Sequence, residues 1–103
     1  MRSIIPGDKE NWCFICGSYD GVEEHHIFGG SDRQISEKYG LKVHLCNAHH
    51  HGTSGAHGRD GSKLQQYLHE TGQQVIEKRW QEQGLSADEA RQRFMREFRR
   101  SYL

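Results

Sequence analysis

Cys13-Phe14-Ile15-Cys16 and, after 29 intervening residues, Cys46-Asn47-Ala48-His49 are the two stretches that decide the fold. Each puts two soft donors either side of a two-residue spacer, the spacing at which a tight turn aims both at one tetrahedral zinc ion. The 103-residue chain has reason to need such a staple. Only 33% of its residues are hydrophobic and 27% are charged, too little apolar material for a small core to hold unaided. Three cysteines cannot all pair with one another, which argues against a disulfide scaffold. The expected structural zinc ligands are Cys13, Cys16, Cys46 and His49, with His50 and His51 adjoining as substitutes for the fourth.

Histidine is the second signal. Seven of the eight histidines fall between His25 and His57, more than one closed four-ligand site can use. His25 and His26 follow Glu23-Glu24 on an expected strand, where neighbours point to opposite faces. They therefore cannot simply share an ion: one is free to ligate while the other serves another role, such as general base. His50 and His57 are further candidates. On an unbroken helix they would lie about 10 Å apart, so an irregular loop over 52–57, broken by Gly52 and Gly55, is expected to bring them together. His51 is read either as a ligand or as a side chain without a metal role. His44 and His69 are expected to face solvent or to cap.

The remaining organisation divides into three zones. Residues 1–10 read as a polar leader that packs little. Residues 11–61 form the zinc-bound core and hold nine of the twelve glycines, a density that points to turns. Its strands are expected at Val22–Phe28 and Leu41–Leu45, the second showing period-2 alternation. A loop and polar stretch lie between them, and a short helical turn follows Cys46. Residues 62–103 form a helical extension packing on the core. Leu64, Tyr67, Leu68, Val75, Ile76 and Trp80 make a helical stripe, which Gly72 would divide in two. Ser86 and Glu89 spell a capping box ahead of a last helix with Ala90, Phe94 and Phe98 at four-residue spacing. That helix is locally basic, with five arginines against one glutamate over 91–100.

The layout Cys13-x-x-Cys16, Glu24-His25-His26-Ile27 and Val43-His44-Leu45-Cys46-x-x-His49-His50 resembles HNH nucleases of the ββα-metal type. His25-His26-Ile27-Phe28-Gly29-Gly30, Ser36-Glu37-Lys38-Tyr39-Gly40-Leu41 and Gly55-Ala56-His57 are similar to small phage and prophage HNH proteins related to the phage recombination-enhancement nuclease. The likeness spans roughly residues 11–103. It implies an α+β fold: a small, treble-clef-like, zinc-stapled ββα-metal domain with a C-terminal helical extension. It also implies that His25, His50 and His57 hold a catalytic divalent ion (magnesium, manganese, nickel or zinc) and that His26 is the general base. Two positions depart from the family pattern. Gly40-Leu41 replaces an asparagine often found before the second strand, and His51 stands where asparagine is common.

The function expected is metal-dependent hydrolysis of DNA phosphodiester bonds by a one-metal mechanism. Arg33, Lys38, Arg93, Arg96 and Arg100 are candidate nucleic-acid contacts, since cations along a backbone supply sequence-independent affinity. The alternative is a non-catalytic zinc module that binds nucleic acid or a protein partner. A nucleobase deaminase is disfavoured because neither His-x-Glu nor Pro-Cys-x-x-Cys occurs. With no membrane-spanning run and no signal-peptide pattern, the expected setting is the cytoplasm of a bacterial host, with a phage or recombination protein as a further partner.

Overall fold

The computed structural model describes residues Met1–Leu103. A two-stranded antiparallel hairpin lies at its centre, formed by β1 (Glu23–His26) and β2 (Lys42–Leu45). Around it run a 3-10 turn (Gly30–Asp32), α1 (Arg33–Tyr39), α2 (Asn47–His51), α3 (Ser62–Glu82) and α4 (Ala87–Phe98). The register pairs His25 with Val43 and His26 with Lys42. Residues opposite one another share a face, so His25 sits on the side of apolar Val43 and Leu45, while His26 shares the other side with Glu24, Lys42 and His44. Leu41, Val43 and Leu45 are buried on the apolar face, as the alternation of the second strand leads one to expect, but Lys42 is buried as well, on the opposite face.

The connection between the strands is a helix rather than the expected loop. Seven residues are too few for a stable isolated helix, so tertiary contacts must hold α1. The buried Ser36 hydroxyl accepts from the Phe28 amide at 3.2 Å and donates to the Leu41 carbonyl at 2.5 Å, tying the helix to both flanks. Gly40 ends it in the left-handed region, at φ 70°, which suits a residue without a side chain.

α3 is continuous through Gly72, contrary to the expected division into two helices. A glycine inside a helix costs about 1 kcal/mol relative to alanine. Here it lets the helix approach the core: a Cβ at Gly72 would stand 3.0 Å from the Phe28 ring and 3.1 Å from Ile27. Phe28 in turn meets Phe98 and Phe94 of α4, at centroid separations of 4.6 and 5.7 Å. Leu68, Ile76 and Trp80 from α3, and Ala90, Phe94 and Phe98 from α4, complete the buried pairing of the two helices. The capping box forms as read, with Ser86 and Glu89 each accepting the other's amide.

Three further expectations are corrected. Residues 1–10 do pack: Ile5 is buried, the Ile4 amide donates to the Gly40 carbonyl, and the Ser3 hydroxyl donates to the Lys42 carbonyl. His44 does not face solvent. Its Nδ1 lies 2.7 Å from Asp8 Oδ2, and the other Asp8 oxygen accepts the His44 amide. His69 stacks on Phe28, with centroids 5.2 Å apart, and also contacts Tyr102. These partners lie far away in sequence, beyond the reach of local pattern.

Candidate metal centre

The knuckle at Cys13–Cys16 is a turn closed by the Gly17 amide on the Cys13 carbonyl, and the Phe14 amide binds it to β2 through the His44 carbonyl. Cys46 lies just ahead of α2, whose first turn carries His49. Four ligand atoms converge: Cys16 Sγ to Cys46 Sγ spans 3.8 Å, while His49 Nδ1 lies 3.6 Å from Cys13 Sγ and 3.3 Å from Cys46 Sγ. A tetrahedron with zinc–sulfur bonds of about 2.3 Å and zinc–nitrogen bonds of about 2.0 Å has edges of about 3.8 Å and about 3.5 Å. The cluster therefore has the dimensions of a zinc site, and its sulfurs are far beyond the disulfide distance of about 2.05 Å. Burial alone would push the Cys13 thiol up, but backbone groups of Cys46, Cys16 and Ile15 bring it down to about 6. A thiolate is the form that binds metal. His49, rather than His50 or His51, is the histidine that stands in this cluster.

A second convergence brings together His25 from β1, His50 from α2 and His57 from the following loop. Their ligand atoms all lie within 4.8 Å of one another. Ring centroids are 5.2 Å apart for His25–His50, 5.0 Å for His25–His57 and 4.7 Å for His50–His57. The segment after α2 is irregular, as expected. Amides of Ala56 and His57 donate to the carbonyls of His49 and His50, at 2.8 and 2.9 Å, which turns His57 back over the helix.

The electrostatics of this triad suit a cation. Burial, reinforced by the neighbouring His50 and His57 rings, pushes His25 down to about 3. Burial also lowers His50, aided by His51 and His57 and opposed by Glu23. Neutral imidazoles with free lone pairs are the form that ligates metal. His50 Nδ1 is buried without a hydrogen-bond partner; Glu23 Oε1 stands 3.4 Å away but out of bonding alignment. A buried polar atom left in that state is costly, and a bound ion nearby would fix the ring's role. On these grounds the residues present fit a divalent cation.

The triad opens on a cleft of about 280 Å³ that is also lined by Glu24, His26, Gly29, Gly30 and Arg33. Larger clefts of about 640 and 680 Å³ lie elsewhere and contain none of these three rings. On the other hairpin face, His26 Nε2 lies 2.9 Å from Glu37 Oε1. Glu24, His26 and Glu37 also form a group of metal-ligand type. The Lys42 ammonium, at 3.2 Å from Glu24 and 3.0 Å from Glu37, already supplies a positive charge there. His51 is half exposed and paired with Glu23 at 3.1 Å.

Among the candidate nucleic-acid contacts, Arg33 alone lines the cleft beside the histidines. Lys38 lies over the Tyr39 ring at 5.2 Å, Arg93 over Trp80 at 4.2 Å, and Arg100 over Tyr102 at 4.2 Å. Arg93 also pairs with Glu97 at 3.4 Å. Arg96 stands beside Leu85 and Glu89 on the outer side of α4. Two arginines outside that set are taken up within the chain, Arg91 by Glu77 at 2.9 Å and Arg99 by Asp32 at 2.6 Å. Sequence reading missed Glu37, Glu23 and Asp8 as partners of the histidines, and Lys42 as the partner of Glu24 and Glu37. Single charged residues in a polar stretch carry no local signal of such contacts.

Fold and clusters together define a small α+β domain: a β-hairpin with helices, a Cys3His group of zinc dimensions, further histidine-rich groups and a C-terminal helical pair. No family model, curated protein or solved structure matches the chain. No helix is long and apolar enough to cross a membrane.

Proposed function

We propose that this chain is a metal-dependent DNA endonuclease of the ββα-metal (HNH) type, braced by a structural zinc at Cys13, Cys16, Cys46 and His49. The observation that carries this reading is the meeting of His25, His50 and His57 in one open cleft that His26 and Arg33 also line. Held by those three rings, a divalent ion (magnesium, manganese, nickel or zinc) would neutralise phosphate charge and ease departure of the 3′-oxygen. His26 takes the proton of the attacking water as the new oxygen–phosphorus bond forms and the bond to the 3′-oxygen breaks. Arg33 balances the charge of the phosphodiester in the cleft. The alternative of a non-catalytic zinc module requires no convergence of these rings, and the convergence favours the enzyme. The resemblance adds DNA as partner and a phage or prophage source acting inside a bacterial host.

Plasmid nicking, assayed with each of the four divalent ions in turn, tests this. The wild-type protein is expected to nick, and His26→Ala to lose on the order of 100-fold or more of the rate with little change in melting temperature and the zinc content retained. A His26→Ala protein that cuts at the wild-type rate overturns the assignment of the base.

A further inference from the structure

The His26 side chain makes a single hydrogen bond within the chain, between its Nε2 and Glu37 Oε1 at 2.9 Å. Glu37 belongs to α1, the helix that occupies the connection between the strands, and is separated from His26 by 11 positions. Its carboxylate is surrounded by cations. Lys42 Nζ lies 3.0 and 3.2 Å from the two oxygens, and the Met1 ammonium lies 2.7 Å from Oε2. Lys42 is also the cross-strand neighbour of His26, nearly buried, with Glu24 as its other partner at 3.2 Å. The Met1 ammonium, His26 and Lys42 together hold the Glu37 carboxyl well below the usual carboxylate range. An ionised carboxylate can only accept. The proton of a neutral His26 must therefore reside on Nε2, which leaves the lone pair on Nδ1.

We propose that Glu37 is the positioning residue of the His26 base: it holds the ring in the Nε2–H tautomer and orientation, so that Nδ1 is the atom that takes the proton from water. This rests on the nuclease reading above, and Glu37 itself touches neither substrate nor ion. Lys42 serves the pair indirectly, by keeping the carboxylate charged and in place. The arrangement follows the general logic in which a carboxylate behind an imidazole fixes its tautomer and orientation.

The tautomer can be read without any activity. In zinc-loaded protein at pH about 8, above the usual histidine range, the 15N shifts and long-range proton couplings of the His26 ring report which nitrogen carries hydrogen, the signal being assigned by its loss in His26→Asn. The wild-type ring is expected as the Nε2–H tautomer and the Glu37→Ala ring as a mixture. A wild-type mixture, or a Glu37→Ala ring unchanged from wild type, overturns the proposal. In the nicking assay, Glu37→Ala should lower kcat on the order of 10- to 100-fold with KM little changed. Glu37→Gln, whose amide oxygen still accepts from Nε2–H, should recover most of that loss. Equal kcat in all three proteins overturns the positioning role, as does an equal loss in both variants, which a purely structural ion pair would give. If the wild-type protein nicks with none of the ions while its tautomer is as expected, the nuclease reading fails and the hydrogen bond remains as a structural contact only.

Discussion

The sulfur cluster and the imidazole cluster are neighbours in sequence, since His49 belongs to one and His50 to the other, yet they are built to opposite ends. The Cys3His group has tetrahedral edge lengths, two of its cysteines are buried, and its four donors fill a zinc coordination shell. The His25–His50–His57 group offers three donors, looser spacing and a cleft alongside. A closed shell holds an ion for the fold; an incomplete one leaves positions for water and substrate. A single residue step along α2 separates the two roles, because consecutive residues on a helix point about 100° apart.

The sharpest way to break this contrast is to remove one donor from each side. Cys13→Ser should unfold the domain, because structural zinc contributes on the order of 10 kcal/mol of folding energy in small zinc modules. The checks are circular dichroism and a zinc stoichiometry that falls from one tightly held ion per chain. A folded, zinc-free variant would remove the distinction.

Acid sharpens the comparison from the imidazole side. His25 is held at about 3 in the folded protein, against about 6.5 in an unfolded chain. Its neutral burial therefore adds stability in full above pH about 6.5, and that contribution is lost as pH falls toward 3, because only the unfolded chain takes up the proton. With zinc retained and other divalent ions removed, stability should drop between pH 7 and 5 by on the order of 1–2 kcal/mol more in wild type than in His25→Asn. Chemical denaturation at the two pH values measures this. Parallel drops in both proteins would show that His25 titrates no differently in the fold.

The smallest stability effect is expected at His57, which is exposed on its loop. His57→Ala should change unfolding free energy by no more than about 0.5 kcal/mol while weakening binding of a divalent ion at the triad, followed by calorimetry on the zinc-loaded protein. Unaltered binding would remove His57 from the ligand set.

How much of this was legible depended on whether the causes were local. Cys13-x-x-Cys16 and Cys46-x-x-His49 could be read because a two-residue spacer constrains geometry wherever it occurs. The Ser86–Glu89 capping box and the alternation of Leu41, Val43 and Leu45 are local in the same sense. The crowding of seven histidines between residues 25 and 57 singled out His25, His50 and His57 as candidates, and the glycines marked where the chain turns back. The helix α1 was illegible because its support is the buried Ser36 hydroxyl bridging Phe28 and Leu41, not a helical stripe of its own. The packing of residues 1–10 and the partners of His26 and His44 were hidden for a related reason: Asp8 and Glu37 acquire their meaning only once the hairpin has formed. The arginines of residues 91–100 read as a basic face, but Arg91, Arg93 and Arg99 find carboxylates within the chain.

Gly72 has a consequence for engineering the molecule. Phe28 and Ile27 directly follow the His25-His26 pair, and the missing side chain at position 72 is what lets α3 lie flush against them. Any bulk introduced at that seam would act as a wedge beneath the floor of the cleft, displacing the two histidines from behind without touching either. The midpoint of α3 is thus a place from which the spacing of the histidine cluster can be detuned while both sets of donors stay chemically intact.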